Sequence, residues 1–155
     1  TVYVTEILEN LQMTALATIQ PFIENEGPIG NGKVLNAVTL YQGAMLGRTA
    51  AGYLTKFATG LFFAGHALET VDNSAGSAGA LKCRYRRGTY YAKVPVFGSA
   101  TIANIGDPVW ASSDNHTDLT LSDPGTTLTT TDLVGYVHDI DDDGGVIIQF
   151  RSRLN

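Results

Sequence analysis

Over residues 5–23 the apolar positions Ile7, Leu8, Leu11, Ala15 and Ile19 recur at intervals of three and four, the spacing that lines one face of a helix. Thr5 suits the N-cap, and Glu6 and Glu9 fall near the first turn, where the helix dipole favours anions. Pro21 has no amide hydrogen to donate and ends or bends such a helix. The pattern predicts an N-terminal helix, or else an arm that orders only against a partner. The stretch Glu24-Asn25-Glu26-Gly27-Pro28-Ile29-Gly30-Asn31-Gly32-Lys33 is rich in turn formers and reads as a linker.

Beyond Lys33 the texture changes to short β-prone runs, separated by Gly, Asn and Asp at intervals of about ten residues. Candidate strands are 34–41, 44–48, 60–68, 81–87, 89–96, 108–111, 119–121, 134–140 and 146–151. Pro95 inside one run points to an edge strand or a bulge, because proline cannot donate to a ladder. Residues 72–79, made of Asp, Asn, Ser, Ala and Gly, read as an exposed loop. The expected fold is mainly β, a small barrel or sandwich of β-tulip or jelly-roll type with a helical or extended N-terminal arm. The expected division is arm and linker over 1–32 and the β domain over 33–155.

Charge narrows the function classes. Ten Lys and Arg against fifteen Asp and Glu give a net charge of −5 over 155 residues, which disfavours direct nucleic-acid binding. No apolar run approaches the ~20 residues of a membrane helix. Cys83 is the single cysteine, so neither an internal disulfide nor a multi-thiolate zinc site is available.

The most suggestive motif is Asp139-Ile140-Asp141-Asp142-Asp143-Gly144, because alternating aspartates before a glycine resemble the first half of a calcium loop. Asp139, Asp141 and Asp143 are the candidate ligands. The twelfth position is Phe150 in place of a bidentate glutamate, and the flanks read as strands, so a tight strand connection is the better expectation. His66, His116 and His138 are widely spaced, no serine sits in a Gly-x-Ser-x-Gly elbow, and there is no phosphate-binding loop. Cys83 lies between Lys82 and Arg84 but in a strand-like setting, where a buried structural thiol is expected. Neither catalysis nor a cofactor is expected.

Lys82, Arg84, Arg86, Arg87 and Lys93 hold five of the ten cations, while the C-terminal part supplies a long series of aspartates. On a strand Lys82, Arg84 and Arg86 share one face, with Cys83, Tyr85 and Arg87 on the other. Such segregation of sign suits contacts between protein subunits. Ile7, Leu8, Leu11 and Ile19, together with Lys82, Arg84, Arg86 and Arg87, are therefore the candidate interface residues.

From Gly32 onward the order of several phrases resembles a family of tailed-bacteriophage capsid decoration (cement, head-stabilising) proteins. The phrases are Tyr41-Gln42-Gly43-Ala44-Met45-Leu46-Gly47, Ala51-Gly52-Tyr53-Leu54, Phe63-Ala64-Gly65-His66-Ala67-Leu68-Glu69 and Val71-Asp72-Asn73-Ser74-Ala75-Gly76. They continue with Arg84-Tyr85-Arg86-Arg87-Gly88, Ile105-Gly106-Asp107-Pro108-Val109-Trp110-Ala111 and Val134-Gly135-Tyr136-Val137. The resemblance implies a β-barrel-like protein, assembled in the host cytoplasm, that binds the outer surface of an icosahedral head and bridges major capsid protein subunits. It also implies self-association, a homotrimer before a dimer, and it transfers no catalytic residues. The extension before Lys33 departs from the family pattern.

Two other classes remain open from the residues alone. One is a receptor- or glycan-binding β module on a virion, with Trp110, Tyr90 and Tyr91 as a stacking platform. The other is a hydrolytic or metal enzyme using the aspartate run and His138.

Overall fold

The computed structural model describes residues 29–94, 100–121 and 132–153. The expected N-terminal helix, with Ile7, Leu8, Leu11 and Ile19, lies outside the described residues, as does Pro95. The described chain is mainly β: β1 (Ile29–Lys33), β2 (Val38–Leu40), β3 (Met45–Arg48), β4 (Leu54–Lys56), β5 (Phe62–Ala67) and β6 (Val71–Asn73) come first. They are followed by β7 (Lys82–Arg86), β8 (Thr89–Val94), β9 (Pro108–Ala111), β10 (Leu119–Thr120), β11 (Leu133–Ile140) and β12 (Val146–Arg151). Short 3-10 turns cover Ile102–Asn104 and His116–Asp118.

Two five-stranded antiparallel sheets form, in the orders β1-β7-β5-β3-β4 and β10-β9-β11-β12-β8, with a separate β2-β6 ribbon. Alternation along the strands builds the interior. In β12, Val146, Ile148 and Phe150 are buried, while Ile147 and Gln149 are partly exposed and Arg151 is exposed. Met45, Phe57 and Phe63 from the first-sheet side join Tyr90, Val109, Val137, Ile148 and Phe150 in one core. The opposite face of the first sheet packs Leu46, Ala64, Ala67, Cys83 and Tyr85 with Val34, Leu40 and Leu54 in a second core. The first sheet is therefore covered on both sides, which is why β5 is buried at every position after Phe62.

The linker expectation fails for residues 29–33, which form β1 against β7. Gly30 and Gly32 are packing glycines here: an added Cβ would come within 2.6 Å of the Tyr85 ring and 2.5 Å of Leu54, respectively. Residues 72–79 are also not wholly a loop. Val71–Asn73 forms β6, and buried Asn73 donates through Nδ2 to the Leu35 and Ser77 carbonyls at 2.9 and 3.0 Å. β8 is an edge strand.

A bulge in β5 positions the site described next. Leu46 pairs with Gly65 but Gly47 pairs with Phe63, so one extra residue enters β5. Phe63 and His66 consequently face the seam between the sheets, while Ala64 and Ala67 face the second core. Gly65 is the residue that permits it: its φ is +140°, and a Cβ there would lie 1.8 Å from the Arg86 carbonyl oxygen.

Candidate functional site

Three side chains from three elements meet at the seam: His66 from β5, Tyr90 from β8 and His116 from the second 3-10 turn. His66 is only 8% exposed. Its Nδ1 hydrogen-bonds the Tyr90 hydroxyl, and its Nε2 lies 2.8 Å from His116 Nε2. When Tyr90 donates to Nδ1, His66 carries its proton on Nε2 and donates to His116. Phe150 closes one side, with its ring centroid 4.5 Å from that of His66.

The pair is held neutral. Burial, followed by the neighbouring His116, pushes His66 down to about 3, and burial also lowers His116. Burial raises the Tyr90 hydroxyl, so it keeps its proton. An uncharged relay of hydrogen bonds thus ties β5, β8 and the 116–118 turn together. Cys83 is remote, in the second core, with its thiol pushed up to about 11 chiefly by burial.

A cleft of about 350 Å³ opens beside the relay. Tyr90 and Tyr91 of β8, Leu68 after β5 and Arg86 at the end of β7 form its walls. Arg86 lies 5.9 Å from the Tyr90 ring centroid, as a cation over an aromatic face. A second hollow of about 290 Å³ reaches His116 from the side of Tyr41 and Asp114.

The aspartate run forms the β11–β12 turn. Asp141 N–H donates to the Gly145 carbonyl at 2.8 Å, and Gly144 N–H donates to that of Asp141 at 2.9 Å. Lys93 reaches across from β8, with Nζ 3.0 Å from Asp141 Oδ2 and also bonded to Asp143 Oδ2. An ammonium therefore occupies the position between these two carboxylates, and its hydrogen bonds hold both below the usual carboxylate range. Asp139 points elsewhere and accepts from Ile140 N–H at 2.8 Å. Among the described residues no three His, Cys, Asp or Glu side chains are grouped to hold a metal.

Of the basic residues, Lys82 and Arg84 are exposed on one face of β7, while Cys83 and Tyr85 point inward. Arg84 engages Glu69, its N–H donating to Oε1 at 2.9 Å and its Nε standing 3.9 Å from Oε2. Arg86 turns to the cleft, and Arg87 follows the strand. The three aromatics of the stacking platform do not converge. Tyr90 is buried and Tyr91 is exposed on β8, whereas Trp110 lies on β9, beyond β12 and β11 in the sheet. His138 packs against Tyr91, with ring centroids 4.5 Å apart.

Sequence spacing does not signal the histidine pair, because the two residues lie fifty positions apart and the bulge alone aims His66 inward. No family model, curated protein or solved structure matches the chain.

Proposed function

We propose that this chain is a structural virion protein that binds the outer surface of an icosahedral phage head and stabilises the expanded capsid by bridging major capsid protein subunits. The observation that carries the reading is the ordered set of decoration-family phrases from Tyr41 to Val137. Those phrases fall on framework: 41–47 leads into β3, 63–69 covers most of β5, 84–88 ends β7, 105–111 contains β9 and 134–137 lies in β11. The likeness therefore lies in residues that build the sheets. The neutral seam relay and the lysine-bridged aspartate turn are likewise compatible with a scaffold role.

Physically, such a protein adds binding free energy across neighbouring subunits and so opposes outward pressure from packaged DNA. It favours the expanded lattice when its site spans subunits that are misaligned before expansion. Closed symmetry lets one patch be used repeatedly, and a homotrimer matches a local three-fold position. Co-sedimentation of the purified protein with empty expanded heads and with unexpanded heads tests this. Saturable binding to expanded heads alone is the expected result, and absence of binding to both overturns the proposal.

A further inference from the structure

The cleft beside β8 is lined by hydrogen-bond donors and by no acid. Among the described residues around it none is Asp or Glu, although the chain holds fifteen of them against ten Lys and Arg. Arg86 stands partly buried in its wall, with its guanidinium over the Tyr90 ring. The ion pairs among the described residues are made by Arg84 and Lys93, and none by Arg86. A guanidinium keeps its charge at any working pH, so a half-covered cation sits there with no described counter-ion. His116 adds a second donor. When Tyr90 donates to His66 and His66 to His116, the proton of the His116 ring is left on Nδ1.

We propose that this cleft binds a small monocarboxylate with a flat apolar body, its carboxylate on Arg86 and its body against Tyr91 and Leu68. The charge argues for one carboxylate. A guanidinium meets both carboxylate oxygens in one plane, and the partly covered setting screens that pair less than open solvent does. A phosphate group is better served by a second cation or a nest of backbone amides, and Arg86 is the only Lys or Arg among the described lining residues. His116 is kept neutral by burial and supplies a donor without a second charge. The walls argue for the body. Tyr91 is 56% exposed yet already held, its hydroxyl accepting from Gln149 Nε2 at 3.1 Å and its ring against His138, so little freedom is lost when a ligand packs there. A volume of about 350 Å³ is near the lower end of the ~300–1,000 Å³ of small-molecule sites, which limits the body to roughly one ring. This goes beyond the virion reading and does not depend on it, because every readout below is taken without heads.

The test is a proton–nitrogen NMR titration of the full chain with sodium benzoate at constant ionic strength. Benzyl alcohol supplies the ring without the charge, acetate the charge without the ring, and inorganic phosphate a different anion. Benzoate should give saturable shifts centred on Leu68, Arg86 and Tyr91, with a Kd of about 1 mM, as befits roughly nine non-hydrogen atoms. The other three probes should each bind about tenfold more weakly, a difference of one decade in Kd. Arg86→Gln should weaken benzoate by about the same factor. Shifts that do not saturate, or that centre on Lys82 and Arg84, overturn the proposal, and so does phosphate or benzyl alcohol binding as well as benzoate. Should Arg86→Gln not fold, the comparison of the four probes on the unaltered chain still decides. If that variant folds and binds benzoate unchanged, Arg86 is not the anchor and the proposal fails.

Discussion

His66 and His116, fifty residues apart in the chain, place their Nε2 atoms 2.8 Å from each other across the seam between the two sheets. Neither ring can be charged there without loss. The pair is surrounded by Phe63, Phe150 and Tyr90, and burial together with the facing His116 opposes a positive charge on His66. The seam therefore depends on both imidazoles remaining neutral, which makes it sensitive to acid.

That sensitivity has a definite sign. The folded value of His66 is about 3 against an ordinary 6.5, so between those limits the unfolded chain binds more protons than the folded one. Stability is fully present above pH 6.5 and falls as the pH drops, by up to about 1.4 kcal/mol per pH unit from this residue. Urea midpoints from pH 7 to pH 4.5 should decline, and His66→Gln should flatten the curve in that window. A midpoint independent of pH over this range is inconsistent with a buried neutral pair. The lowered carboxylates Asp72, Asp141 and Asp143 act at more acid pH, where their protonation removes stability in the same direction.

The β5 bulge should tolerate no side chain at Gly65. Gly65→Ala forces a Cβ into a position 1.8 Å from a backbone oxygen at φ +140°, and a cost of at least ~3 kcal/mol is expected. Gly43→Ala is the control. Its φ is +87° but an added Cβ meets nothing within 4 Å, so only about 1 kcal/mol should be lost. Thermal unfolding of both variants reads the difference directly.

Added calcium at millimolar concentration should leave the melting temperature unchanged. Lys93 already spans Asp141 and Asp143, and Phe150 stands where a calcium loop needs a distal carboxylate. A rise of several degrees that Asp141→Ala abolishes would show instead that the turn is a cation site.

β1 should behave as part of the folded domain. Gly30→Ala drives a Cβ to 2.6 Å from the Tyr85 ring, whose hydroxyl accepts from Arg48 Nη2 at 2.6 Å. Displacing that ring should cost about 1–3 kcal/mol, the usual range for overpacking. A surface linker would give no measurable change in the urea midpoint.

The pattern of residues foretold the later strands well, because 82–86, 108–111 and 146–151 alternate cleanly between apolar and polar positions. It failed at 29–33, where glycines that make room for Tyr85 and Leu54 look the same as glycines that make turns. It failed again at 71–73, a three-residue strand too short to show a period. The aspartate turn was foreseen as a strand connection, but its partner Lys93 comes from β8 and no local spacing points to it. The histidine pair was invisible for a similar reason. A one-residue bulge decides which face of β5 His66 occupies, and the register that creates it is a property of the sheet.

Copy number and position on purified particles probe the proposed role most directly. Quantitative mass spectrometry of intact virions, paired with a reconstruction of the expanded head, should find the protein outside the shell at a symmetric copy number. It should contact at least two neighbouring capsid subunits at each position, as a trimer on local three-fold axes. Absence from the head surface, or a handful of copies confined to the tail, is incompatible with a capsid-stabilising protein.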